Sequence, residues 1–161
     1  MDAAIDERLT PCLELIQTEA KNKKFRIGIP SGVGEEDARI ALTPQAVEAL
    51  TVQGHKIVYE KSAGKNARFA DEQYAKSGAQ MVETHKEAFM CDIIVRLTLP
   101  TDEEIEFMPN GATVICCLKN IRRSAETYSL LVKKRINIIG IDYLKQASDD
   151  ETLLGSCLGE V

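Results

Sequence analysis

The stretch Asp92-Ile93-Ile94-Val95-Arg96-Leu97-Thr98-Leu99-Pro100-Thr101-Asp102-Glu103-Glu104-Ile105 decides the fold. It opens on a strongly apolar run, 92–97, in which β-branched residues follow one another without polar alternation. That is the pattern of a strand buried on both faces. Thr98-Leu99-Pro100 closes the run. Thr101 and Glu104 then have the spacing of a capping box, so a helix carrying Ile105 and Phe107 is predicted to follow. A second buried strand comes at 113–118. Strand, turn, helix, strand is the repeating unit of a parallel sheet covered by helices.

The same unit repeats on either side. Upstream, 25–29 reads as a short strand ending at Pro30, and 31–38 as a loop rich in glycine and acid. Thr43-Pro44 starts a helix, cap then proline, with Ala46, Val47 and Leu50 on one face and Gly54 closing it. A strand at 56–59 leads into the small-residue turn Ser62-Ala63-Gly64. A helix at 71–76 is closed by Gly78 and followed by a brief strand at 80–82. Thr84 with Glu87 repeats the capping-box spacing ahead of Ala88 and Phe89. Downstream, Ser124 caps a helix carrying Tyr128, Leu131 and Val132. The basic run 133–135 suits its C-terminal end, and 136–141 is the last strand. Residues 1–24 are polar with one helical stretch, Thr10 and Pro11 at its start and Leu13, Ile16 and Ala20 on one face. The predicted class is α/β, a doubly wound parallel sheet of the Rossmann-like or flavodoxin-like kind with an appended N-terminal helix.

Composition narrows the function. The 161 residues are 44% hydrophobic and 28% charged, a globular balance for one domain. A net charge of −5 disfavours nucleic acid as a partner. No apolar run is long enough to insert in a bilayer, and residues 1–7 are too acidic for a signal peptide. Five cysteines without a CxxC pair disfavour a disulfide framework or a zinc cluster and fit a reducing cytoplasm. The two histidines, His55 and His85, flank different elements, so histidine is not expected to lead the chemistry.

Ligands of open parallel sheets sit beyond the carboxyl ends of the strands, which singles out the loops after Ile29, Tyr59, Val82, Leu97 and Leu118. The first, Gly28-Ile29-Pro30-Ser31-Gly32-Val33-Gly34, lacks the GxGxxG spacing of a dinucleotide turn. Arg39, near the end of the first strand, has the chemistry to clamp a small carboxylate; as a surface arginine it would instead pair with Glu35 or Asp37. Lys119, at the end of the 113–118 strand, is placed to bind an anion or move a proton, or to lie in a solvated turn. Thr98 contributes a hydroxyl, which is too weak an acid or base to act unaided. Cys116 and Cys117 read as inert strand residues, and Asp102-Glu103-Glu104 as the acidic first turn of a helix with no further role.

In order along the chain, Arg39-Ile40-Ala41-Leu42-Thr43-Pro44, Gly54-His55, Glu60-Lys61-Ser62-Ala63-Gly64, Phe69-Ala70-Asp71-Glu72-Gln73-Tyr74, Ser77-Gly78-Ala79 and Asp92-Ile93-Ile94-Val95 with Pro100 resemble the N-terminal domain of the alanine dehydrogenase and transhydrogenase alpha-subunit family. Ser156–Val161 is similar to the stretch leading into that family's NAD-binding domain. The resemblance implies an N-terminal extension (1–24) and a substrate-side domain (25–161), with the NAD-binding domain beyond Val161. It also implies a cytoplasmic homo-oligomer using NAD and a small carboxylate, alanine or pyruvate. Arg39 matches the carboxylate-binding arginine, Thr98 stands at the substrate-binding lysine, and Lys119 at the catalytic histidine. Arg96 matches a basic position that is not a substrate ligand. By itself the chain is expected to be inactive. Because the lysine and histidine are replaced, two other readings stand beside alanine oxidation: hydride exchange between NAD(H) and NADP(H), as in transhydrogenase alpha subunits, and binding without catalysis.

Overall fold

Six parallel strands in the order β3-β2-β1-β4-β5-β6 form one sheet in the computed structural model, which describes residues 23–32, 39–118 and 124–143. The strands are β1 (Arg26–Ile29), β2 (Lys56–Glu60), β3 (Gln80–Val82), β4 (Ile93–Val95), β5 (Thr113–Cys116) and β6 (Asn137–Gly140). Between them run α1 (Pro44–Val52), α2 (Asp71–Lys76), α3 (His85–Phe89), α4 (Asp102–Phe107) and α5 (Ala125–Lys133), and a 3₁₀ turn (Ile141–Tyr143) follows β6. The doubly wound parallel class read from the sequence is what the chain adopts. The appended helix expected in 1–24 lies almost wholly outside the described residues.

Each face of the sheet carries its own apolar cluster, and alternation along the strands assigns side chains to one or the other. Val47 of α1 and Tyr74 of α2 pack on Ile27, Ile29, Ile57 and Tyr59. On the opposite face Phe89, Ile105 and Leu131, from α3, α4 and α5, pack on Ile94, Val114 and Cys116. Gly28 sits in the middle of β1, and a Cβ there would run into the Ala88 carbonyl oxygen. Glycine is required because α3 lies directly on the strand. Beside α1, the described residues leave an apolar hollow of about 490 Å³ lined by Phe25, Ile27, Leu50, Ile93, Val95 and Ile115 among others.

Caps show where local signals held. Thr43 and Ser124 accept from Ala46 N and Thr127 N. Thr101 and Glu104 form a full capping box. Thr84 makes no side-chain cap bond, so the second expected box is absent. The basic run lies at the C-terminal end of α5 as expected, with Lys133 in its last turn, and its next residue has a further role. Lys134 Nζ donates to the carbonyls of Ile105, Glu106 and Met108, closing α4 rather than its own helix.

The strand order reverses between β1 and β4, which are neighbours although β2 and β3 intervene in sequence. At such a switch point the loops at the carboxyl ends diverge and leave a crevice.

Candidate functional site

The loops after β1, β2 and β4 meet at this crevice. A cavity of about 60 Å³ is lined there by Pro30, Gly32, Arg39, Ile40, Ala41, Ala63, Asn66, Arg96, Leu97 and Thr98. That is room for about four to six water-sized groups, the scale of a three-carbon acid. Two residues expected at a site from the sequence, Arg39 and Thr98, therefore share one cavity. The third, Lys119, lies outside the described residues, as do Glu35 and Asp37, the alternative partners of Arg39.

Arg96 joins them, and its surroundings are built. It is 5% exposed. One guanidinium nitrogen donates to Glu104 Oε2 at 2.8 Å and the other to Thr98 Oγ1 at 3.1 Å. The guanidinium carbon lies 5.6 Å from the centre of the Phe89 ring. Because Thr98 Oγ1 accepts from Arg96, its own proton is left to donate elsewhere.

Glu104 was expected to do nothing beyond helix initiation. Instead it is buried and accepts from Arg96, from the Thr101 backbone N–H at 2.6 Å and from His85 Nε2 at 2.8 Å. Burial pushes its carboxyl upward. The Thr101 N–H, the Arg96 charge and the His85 bond outweigh that and hold it below the ordinary 4.5. Asp102 likewise has a partner, accepting from Thr127 Oγ1 at 2.7 Å and so tying α4 to α5.

His85, at the first position of α3, bridges the end of β2 and the first turn of α4. Its Nδ1 lies 2.8 Å from Glu60 Oε2, and its Nε2 lies 2.8 Å from Glu104 Oε1. A carboxylate only accepts, so both bonds are made together when both ring nitrogens donate, that is, in the imidazolium form. Burial disfavours that charge, but the bonds to Glu104 and Glu60 prevail and raise the pKa above 6.5. Glu60, the last residue of β2, also accepts from the Ser31 backbone N–H at 2.7 Å and the Ser31 hydroxyl at 2.8 Å. One chain of bonds thus runs Ser31–Glu60–His85–Glu104–Arg96–Thr98 along the carboxyl edge. The sequence reading missed its centre. The available signal was a charged residue closing each of two apolar strands, Glu60 and Arg96, with a histidine starting the helix between them.

The remaining candidates are quieter. Cys116 is buried and its thiol is pushed up to about 11, mainly by burial, which fits the inert reading. His55 Nδ1 accepts from the Phe25 backbone N–H at 3.3 Å and is not among the residues lining the crevice. Among the described residues no group of His, Cys, Asp or Glu could hold a metal ion, and no helix is long and apolar enough to cross a membrane. Nor do the described residues offer a pyrophosphate cradle. Gly28 is spent on packing against Ala88, and Pro30 interrupts the turn.

Residues 28–157 match the family described as alanine dehydrogenase/PNT, N-terminal domain. The chain belongs to that family. It is 36% identical over 119 residues to an alanine dehydrogenase of Bilophila wadsworthia, covering 74% of this chain and 31% of the relative. It is 32% identical over 127 residues to the NAD(P) transhydrogenase subunit alpha of Haemophilus influenzae, covering 79% and 24%. Among solved structures, an L-alanine dehydrogenase superposes with a TM-score of 0.69 at 26% identity, covering 76% of this chain and 34% of the other. A transhydrogenase from Sinorhizobium meliloti, at TM-score 0.67 and 24% identity, shares the fold. The chain spans about a third or less of the length of these relatives.

Proposed function

We propose that this domain is the substrate side of an NAD-linked oxidoreductase of the alanine dehydrogenase type. The reaction takes L-alanine, NAD⁺ and water to pyruvate, ammonium and NADH, with release of a proton. The observation that carries this reading is the convergence of Arg39, Arg96 and Thr98 on one cavity of three-carbon size at the switch point.

In this reading Arg39 clamps the substrate carboxylate through paired N–H donors. Thr98 donates its hydroxyl proton to a second oxygen of the ligand, since its lone pair is engaged by Arg96. Lys119 moves the proton at the amino carbon, a task that requires its pKa to be lowered by burial or by neighbouring cations. NAD accepts the hydride when bound, and is held mainly by residues outside this chain. The domain limits 25–161 with an extension at 1–24, a homo-oligomeric assembly and a cytoplasmic setting belong to the same proposal. This chain alone is then inactive.

One observation favours a second reading, hydride exchange between nucleotides: a neutral hydroxyl, Thr98, faces the crevice where an amino-acid enzyme of this family is expected to present a lysine. Titration of the 161-residue chain with pyruvate, followed by amide chemical shifts, separates the two. Shifts at Ile40, Ala41 and Thr98, with affinity falling at least tenfold in Arg39→Ala, support the substrate clamp. No pyruvate shifts, or affinity unchanged in Arg39→Ala, overturn it. Shifts at the same residues on adding NAD in place of pyruvate favour the exchange reading. NADH formation from NAD and L-alanine by the whole protein then tests turnover.

A further inference from the structure

We propose that His85 is the positioning residue of the crevice: by bridging Glu60 and Glu104 it locks the loop after β1 to the end of β4 and fixes the Arg96–Thr98 pair. None of the residues expected from the family resemblance includes it.

Ser31 and Thr98 lie on the two sides of the seam where β1 and β4 diverge, and sequence does not link them locally. The polar path between them passes through Glu60, the His85 ring, Glu104 and Arg96, each step a bond of 3.1 Å or less. Every acceptor on the path is a carboxylate except the Thr98 hydroxyl. Among the described residues, a ring donating from both nitrogens is the only neutralising link between Glu60 and Glu104. Without it two carboxylates would face one another across the ring's place, and the repulsion would be relieved by rotation of one of them. Rotation of Glu104 releases Arg96, whose second hand holds Thr98.

The same geometry makes the lock dependent on ring charge. A neutral imidazole keeps one donor, and its bare nitrogen then faces a carboxylate lone pair. One of the two 2.8 Å bonds must open. The charged groups facing the ring are Glu60 from β2 and Glu104 from α4, with Arg96 behind Glu104. The nearby Lys61–Glu83 pair is exposed and closed on itself at 3.4 Å. On α3 itself, Lys86 lies 5.7 Å over the Phe107 ring. Among the described residues no other cation bonds Glu60 or the outer oxygen of Glu104 to replace the lost donor. The direction follows: the crevice is ordered while the ring is charged and loosens as the ring deprotonates above 6.5.

Amide and arginine side-chain NMR on the 161-residue chain tests this without any ligand. Expected are a His85 ring titration above pH 6.5 and matching midpoints, within the error of the fit, at the Arg96 Nε–H and the Thr98 amide. In Glu60→Gln the amide nitrogen donates to a neutral ring, so all three midpoints should move down together. His85→Gln should abolish the transition at Arg96 and Thr98. If that variant does not fold, Glu60→Gln still decides. Arg96 and Thr98 signals that ignore the His85 titration, or midpoints that stay put when Glu60→Gln moves the ring, overturn the proposal. Its consequence for ligand rests on the proposed function: pyruvate affinity should fall at least threefold across the midpoint. Coupled titrations with no pyruvate binding at any pH would overturn the substrate reading and leave the positioning role standing.

Discussion

Glu104 and Ile105 are consecutive residues of α4, both buried, and they serve opposite kinds of structure. Ile105 points into the cluster formed with Phe89, Ile94, Val114 and Leu131, where only shape and apolar area matter. Glu104 points to the carboxyl edge of the sheet, where each of its oxygens meets a donor. The contrast shows how the fold separates tasks. The floor of the domain is held by interactions indifferent to pH and ionic state. The rim that faces the crevice is held by charges that must all be present together.

Stability measurements on the 161-residue chain sharpen that contrast. Glu104→Ala should have the largest effect, a loss of roughly 3–5 kcal/mol at neutral pH, because Arg96 would remain buried without its carboxylate. Since the Glu104 carboxyl is held below 4.5, its contribution is present above that pH and lost as pH falls through the lower folded value. The deficit of Glu104→Ala should therefore shrink in acid. Urea titrations at neutral pH and near pH 3 read this directly. A deficit independent of pH would mean that Glu104 acts only by packing.

Ile105→Ala should cost roughly 2–5 kcal/mol through lost burial and the cavity left behind. Here the cost should be the same at both pH values. Gly28→Ala should come next, at about 1–3 kcal/mol, since α3 must shift away from β1 to admit a methyl group. Because α3 begins with His85, the same shift should also move the His85 ring resonances. Unchanged ring shifts would separate the floor from the rim more completely than the contacts indicate.

His85→Gln should have a smaller effect whose pH dependence is the informative part. A histidine whose pKa is raised by folding contributes stability fully below 6.5 and loses it as pH rises through the folded value. The gap between wild type and His85→Gln should be widest below pH 6.5 and close above it, opposite in sense to Glu104. The smallest change should come from Arg39→Ala. Arg39 is exposed, so thermal melts should place its cost within about 0.5 kcal/mol. Its effect is expected on pyruvate, not on stability.

Much of the architecture could be read from local signals. The strands 80–82 and 113–116, the helix at 71–76 and the proline-started helix at 44 were predicted within a residue or two at most of their ends. Each is marked by residues within a few positions, a cap, a glycine or a run of β-branched side chains. The Thr84–Glu87 spacing failed as a capping box although Thr101–Glu104 formed one. At Thr101 the glutamate is also held by Arg96 and His85, contacts that come from other elements. Identical spacing gave different outcomes because tertiary partners fixed only one of the two glutamates.

By itself the sequence determined the parallel α/β class, the family, and the choice of Arg39 and Thr98 as crevice residues. Those depend on patterning and order along the chain, which survive without coordinates. Only the tertiary structure decided that Glu60, His85, Glu104 and Arg96 form one bonded chain, buried at the three charged partners and half-buried at the His85 ring. They are separated by up to 44 positions in sequence, between Glu60 and Glu104. The crossovers that bring the ends of β1, β2 and β4 together set their distances. The charge of a histidine then follows from which carboxylates lie on its two sides.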